Sequence, residues 1–255
     1  MCQLLGICAN RPVEINFSFR GWRHRGADNP HGYGFAWWED GGFHIVKAAS
    51  SLYQAYDASD RALEKVKAAR SRIFLAHVRL ASVGPQDGAN THPFKAELGE
   101  RSFVFAHNGT VKAIKQRKLQ HLQPEGQTDS EFAFLWLLEQ LADVPEAEFA
   151  ERLKQLSDEI GRLGRFNFLM SDGRTVWAYA HDSLHVIERK PPYGGELVRL
   201  VDDGYSISLS EVKAPEEVAV LVATKPLTDE IGWRRLNRGQ LLIIRDGRIK
   251  ASLGG

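Results

Sequence analysis

The order of the apolar segments constrains this chain more than any other feature. Strand-length runs come first, a few helices follow, and strands return. Residues 3–9, 34–38, 43–47, 73–78 and 103–106 alternate or run apolar at strand length. Residues 166–170, 175–179, 184–188, 206–209, 218–223 and 241–244 form the second block of strands. Glu39-Asp40-Gly41-Gly42 and Asp172-Gly173 read as hairpin turns, and Asp246-Gly247 turns the chain before Ile249. Between the blocks, residues 60–69 carry helical spacing and residues 147–163 form an amphipathic helix closed by Gly164. Thr128-Asp129-Ser130-Glu131 has the form of a capping box ahead of 132–141, a run apolar nearly all round that predicts a buried helix. Regular βαβ alternation is absent, which disfavours a doubly wound parallel sheet. Two sheets packed together with helices outside fit the pattern, and periodicity leaves a general α+β fold open.

Composition excludes several functions. The 255 residues are 43% hydrophobic and 25% charged, with 33 Lys and Arg against 32 Asp and Glu, a formal charge of +1. Such a chain buries a core and lacks the basic face that nucleic acid requires. The longest uninterrupted apolar stretch, 132–138, is far short of the ~20 residues of a membrane span. No basic region followed by a long apolar one opens the chain, so no signal peptide is expected. Two cysteines, Cys2 and Cys8, make no disulfide framework, and a reducing cytoplasm is the expected location. Pro191-Pro192-Tyr193-Gly194-Gly195 is the nearest approach to a linker and is short, so residues 1–255 read as one domain.

Cys2 is the most informative single residue. Removal of Met1 would leave a thiol and a free α-amine on the same residue. Their unperturbed pKa values, ~8.5 and ~7.7–8.0, let the amine act as base toward the thiol near neutral pH. The competing reading is a small buried hydrophobe in a first strand. Polar islands sit at the ends of other apolar strands. Arg79 ends one of them and can fork onto a carboxylate or leave the core for a structural ion pair. Asn108-Gly109 is either a tight turn or an oxyanion hole, with a carboxamide and a backbone N–H aimed at a developing negative oxygen. His77, His92 and His107 all lie near strand ends but lack the spacing of a zinc signature.

Taken together, Cys2, Arg25-Gly26 before Gly32-Tyr33-Gly34, His77-Val78-Arg79, Thr91-His92-Pro93-Phe94, His107-Asn108-Gly109 and Thr128-Asp129-Ser130-Glu131 resemble, in that order, the class II glutamine amidotransferases, members of the N-terminal-nucleophile hydrolases. Residues 166–173 (Phe166-Asn167-Phe168-Leu169-Met170-Ser171-Asp172-Gly173) and 223–228 (Ala223-Thr224-Lys225-Pro226-Leu227-Thr228) extend the likeness to the stand-alone, YafJ-type members. The resemblance implies a four-layer αββα sandwich of two mostly antiparallel sheets. It implies Cys2 as nucleophile, with its α-amine as proton shuttle and Asn108 and Gly109 as the oxyanion hole. Arg79 would take the substrate α-carboxylate and Asp129 its α-ammonium, with Ser82 and His92 on the substrate side. No metal or organic cofactor is implied. The small-molecule substrate would be glutamine or a γ-glutamyl amide, and ammonia or an amine would be released. Where the larger synthases of the family have Arg-Trp-Ala-Thr-His, this chain has Arg79-Leu80-Ala81-Ser82-Val83. No synthase or acceptor domain is expected after residue 255, so ammonia would pass to a partner protein or leave freely. Self-association is left open. The alternative function is a non-catalytic regulatory or binding subunit that keeps the fold, and Cys2 with Asn108 and Gly109 intact favours the enzyme.

Overall fold

A computed structural model describes residues 1–58, 60–81 and 84–255. The first half runs β1 (Gln3–Val13), α1 (Asn16–Asp28), β2 (Tyr33–Glu39), β3 (Gly42–Ala48), α2 (Leu52–Asp57), α3 (Arg61–Ala68), β4 (Ser71–Val78), β5 (Phe94–Leu98) and β6 (Arg101–Thr110). The helical middle holds α4 (Asp129–Leu141) and α5 (Phe149–Gly161). Then come β7 (Arg165–Ser171), β8 (Thr175–Ala180), β9 (His185–Arg189), β10 (Leu197–Arg199) and β11 (Ser206–Ser208). The chain finishes with α6 (Leu209–Val212), β12 (Ala219–Ala223), β13 (Arg234–Arg235), β14 (Gln240–Arg245) and β15 (Arg248–Leu253).

These strands make two large antiparallel sheets. One has the order β13-β9-β12-β1-β4-β2-β3 and the other β15-β14-β8-β7-β6-β5, with β10-β11 as a small separate pair. The alternation of side chains along each strand sorts the apolar residues into three cores. Leu4, Cys8, Leu75, Val104, Ala106, Leu169 and Ala178 fill the space between the sheets. Leu5, Ile7, Phe35 and Phe74 face outward from the first sheet onto Phe19 and Trp22 of α1 and Leu63 and Val66 of α3. Phe105, Phe166, Phe168 and Trp177 face outward from the second sheet onto Phe134, Leu137 and Leu138 of α4 and Leu153 and Leu156 of α5. Helix, sheet, sheet, helix is the four-layer sandwich that the resemblance implies.

Local chemistry sets the connections. Asp40-Gly41 and Asp246-Gly247 join their hairpins with positive φ at both residues, as two-residue hairpin loops favour. Thr128 caps α4 by accepting the Glu131 N–H at 3.2 Å. The reciprocal half of the capping box is absent: the Glu131 carboxylate accepts the N–H groups of Glu125 and Gly126 instead. The first helix, α1, escapes periodicity. It carries two glycines and weak amphipathicity, and its N-cap makes no side-chain hydrogen bond. It forms because Phe19 and Trp22 are buried under the first sheet.

Three buried histidines lie toward the site end of the two sheets. His77 ends β4, His107 lies on β6, and His92 packs on both His77, at 4.3 Å between ring centroids, and Phe94. The His107 ring bonds Ser130 Oγ at 2.8 Å and the Arg165 carbonyl at 3.1 Å. Burial holds all three imidazoles neutral, pushing His77 down to about 3, His107 to about 4 and His92 well below the ordinary range. The unfolded chain therefore takes up these protons first. Stability is full above the free value of about 6.5 and is lost as the pH falls, by up to about 1.4 kcal/mol per pH unit for each ring. Urea unfolding followed at pH 7.0, 6.0 and 5.0 is expected to show this loss above the carboxylate range. A midpoint that stays level from pH 7 to 5 would contradict it.

Candidate active site

The site forms where the strand ends of both sheets meet the start of the chain. β1 is the inner strand of its sheet, paired with β12 on one flank and β4 on the other. Gln3 lies opposite Val78, so the antiparallel register brings Cys2 beside Arg79 and Leu80. The Cys2 Sγ accepts the Leu80 N–H at 3.2 Å and lies 3.4 Å from the Leu80 carbonyl. Burial pushes the Cys2 thiol up. The Leu80 N–H, the positive chain terminus and the Arg79 guanidinium oppose that rise. All three would stabilise a thiolate at this sulfur.

Arg79 is 3% exposed, and burial lowers its pKa. Its guanidinium donates to the carbonyls of Pro85 at 3.0 Å and Gly84 at 3.4 Å. Its backbone is gripped by Gly32 and His31. A guanidinium already turned onto oxygen acceptors at the mouth can exchange them for a carboxylate, the stronger partner. The adjoining loop is tied down in turn. Asn90 Oδ1 accepts the Gln127 N–H at 2.6 Å, and Asp87 Oδ1 accepts both the backbone and the carboxamide of Asn90.

Asn108 and Gly109 end β6 on the second sheet. Thr224, one residue past β12, ties them to the chain start: its hydroxyl oxygen accepts the Leu4 N–H at 2.9 Å, while Asn108 Nδ2 lies 3.4 Å away. Asn108 therefore stands two hydrogen bonds from the strand that carries Cys2. Gly109 has no room for a side chain. A Cβ there would sit 1.9 Å from the Arg165 carbonyl oxygen and 2.6 Å from His107 Nε2. Asp129 opens α4, is 2% exposed, and accepts the Val111 N–H at 2.5 Å through Oδ2. Cys2 thus lies beside Arg79, Asn108 is linked to the chain start through Thr224, Gly109 follows Asn108, and Asp129 holds Val111 just beyond β6.

Two expected residues remain. The His92 ring is buried between His77 and Phe94, beneath the mouth. Ser82 lies outside the described residues. Sequence reasoning quoted Thr224, Asn167 and Arg25 without giving them roles. Arg25 donates to Asp202 and to the carbonyls of Lys225 and Pro226, pinning the loop behind Thr224. Only their place in a motif marked them, because their partners are 14 to 220 residues away in sequence. Among the described residues no group of three or more His, Cys, Asp or Glu is placed to hold a metal ion, and no helix is long and apolar enough to cross a membrane.

Comparison with known proteins agrees with this fold. The sequence profile of the glutamine amidotransferases class-II matches residues 1–254. YafJ of Escherichia coli, a candidate glutamine amidotransferase, is 36% identical over 249 residues, 94% of this chain and 96% of its own. The crystal structure of a predicted glutamine amidotransferase from Pseudomonas aeruginosa covers 98% of this chain and 100% of its own, with a TM-score of 0.72 and 27% identity. At 16% identity, the glutamine phosphoribosylpyrophosphate amidotransferase of B. subtilis shares the fold alone, with a TM-score of 0.64 over 99% of this chain and 49% of its own. The thiol at the chain start, the strand-end motifs and the sandwich that unites them belong together: this chain is a member of the class II glutamine amidotransferases.

Proposed function

We propose that this protein cleaves the γ-amide of glutamine or of a larger γ-glutamyl compound through a thioester on Cys2, releasing ammonia or an amine. Removal of Met1 frees the Cys2 α-amine, which takes the thiol proton. The thiolate then attacks the γ-carbonyl carbon. The Asn108 carboxamide and the Gly109 N–H hold the oxygen of the tetrahedral intermediate as charge develops on it. The amine returns the proton to the leaving nitrogen, the C–N bond breaks, and a water activated by the same amine hydrolyses the thioester. Arg79 takes the substrate α-carboxylate and Asp129 its α-ammonium. Ser82 belongs to the substrate side, and His92 shapes the floor beneath it. Ammonia is released or handed to a partner protein.

One observation supports this reading above the others. The strand that carries the sulfur is bonded at one flank to the strand ending in a buried guanidinium, and through Thr224 at the other flank to Asn108. This pairing supports assigning nucleophile, oxyanion donor and carboxylate clamp to Cys2, Asn108 and Arg79.

Intact mass and labelling test the nucleophile. Protein lacking Met1 is expected, carrying one covalent adduct after treatment with an electrophilic glutamine analogue, and Cys2→Ala is expected to take no adduct and lose hydrolysis while keeping its circular dichroism. A Cys2→Ala protein that still hydrolyses glutamine and γ-glutamyl amides at the wild-type rate overturns the assignment. Asn108→Ala is expected to lower kcat by roughly 10²–10³-fold, the usual effect of losing one oxyanion donor. An unchanged kcat would remove it from that role. Arg79→Ala is expected to raise KM about 10- to 100-fold with a smaller change in kcat, because a charge-assisted hydrogen bond contributes about 1.5–3 kcal/mol. Steady-state kinetics on glutamine separates the two effects, and an unchanged KM counts against the clamp.

A further inference from the structure

The motif around Asn167 is unused by the chemistry above, yet it builds a second feature at the mouth. Asn167 is fully buried on β7, opposite Asn108 in the sheet. Its Oδ1 accepts three successive backbone N–H groups, from His181, Asp182 and Ser183, at 2.8, 3.0 and 3.1 Å. Its Nδ2 donates to the Asn108 carbonyl at 3.1 Å and to Asp182 Oδ1 at 2.9 Å. One side chain therefore fixes both the oxyanion strand and the loop beside it. That loop gathers cations. The Asp182 carboxylate takes Arg165 Nε at 2.7 Å, and its backbone carbonyl takes Arg235 Nη2 at 2.5 Å.

A recess of about 400 Å³ opens here, lined by His181, Asp182, Arg235, Leu236, Asn237 and Arg238. Asp182 is its one carboxylate, already engaged by Arg165 and Asn167. Arg238 makes no hydrogen bond or ion pair among the described residues. Burial, with Arg238 and Arg165 nearby, holds His181 below its ordinary pKa. Its lining side chains therefore carry two guanidiniums against one carboxylate.

Its position matters as much as its charge. In the first sheet, Arg79 follows β4 on one flank of β1, while β12, β9 and β13 lie in order on the other. Leu5, Ala223, His185 and Arg235 share one row across these strands, and residues 236–238 continue from β13 toward the same edge. Three inter-strand spacings put β13 roughly 14 Å from β1. Arg165 comes closer still, with its Nη1 3.2 Å from the Met1 Sδ. If Arg79 clamps the γ-glutamyl group and Cys2 attacks it, the amine portion leaves on the side away from Arg79, and Arg165, which bonds Asp182 of the recess, borders the chain start. Ammonia needs no such space, and a cationic amine is repelled by it. An amine portion of two residues spans about 7 Å and brings a terminal anion within reach of the guanidiniums.

We propose that this recess is an anion-binding subsite for the amine portion of the substrate, so that the preferred substrate is a γ-glutamyl amide whose amine side ends in a carboxylate or similar anion. The proposal rests on the reading of Cys2 and Arg79 given above.

The test compares γ-glutamyl-alanyl-glycine with the same tripeptide ending in a carboxamide, and with glutamine, on the full chain. The free acid is expected to have a kcat/KM at least about tenfold that of the carboxamide, the scale of one hydrogen bond to a charged group. The ratio is expected to shrink at high salt. Arg238→Ala is expected to reduce the ratio and Arg238→Glu to bring it to one or below. A wild-type ratio near one, or a ratio that Arg238→Ala and Arg238→Glu both leave unmoved, overturns the subsite while the nucleophile assignment stands. So does hydrolysis of glutamine with neither tripeptide cleaved. Failure to cleave any of the three removes the reading on which the subsite rests.

Discussion

One hydroxyl couples the two sheets at the mouth. Thr224 Oγ1 accepts the Leu4 N–H from the first sheet, and Asn108 Nδ2 of the second sheet lies 3.4 Å from it. Much of the contact between the sheets is apolar, through residues such as Leu4, Leu75, Ala106 and Leu169, which set the distance between layers but not a register. A directional contact is what holds Asn108 of one sheet in register with the chain start of the other. Thr224 is itself held, because its backbone N–H donates to Leu4 at 3.0 Å and Arg25 fixes the two carbonyls that follow it. Losing this joint would leave the core intact while loosening the geometry at the reacting end.

The polar groups around the mouth follow one pattern. Several are buried and bonded to backbone groups. Arg79 holds two carbonyls, Asp129 an amide, Asn167 three amides, and Glu131 two. For Asp129 and Glu131 the bonded partners are backbone dipoles, which satisfy a carboxylate without neutralising it. Buried ion pairs would have been spent on each other.

Much of this was legible in the sequence. The residues proposed as nucleophile, clamp and oxyanion pair stood in the motifs that carry the family resemblance, and the strand blocks announced a two-sheet fold. The unread parts share a physical cause. Asn167 and Thr224 act through partners distant in sequence, and a polar residue inside or just beyond a strand carries no local sign of that. Helix α1 has poor intrinsic propensity, and tertiary burial of Phe19 and Trp22 overrides it. Gly26 belongs to the same story: a Cβ there would meet the Tyr53 backbone nitrogen at 2.9 Å, so the residue that weakens the helix also lets α2 pack against it. His92 was placed on the substrate side by its motif, and the stacking that buries its ring depends on His77 and Phe94 arriving from other elements.

The placement of β1 has a practical corollary. The strand is hydrogen-bonded on both edges from its first residues, and the Met1 side chain already rests on Arg165 at the rim. A purification tag fused ahead of Cys2 would start beside Arg165 and, on the proposed reading, would keep the Cys2 α-amine from being freed. The opposite end of the chain, an exposed Gly254-Gly255 beyond β15, is the place for any such handle.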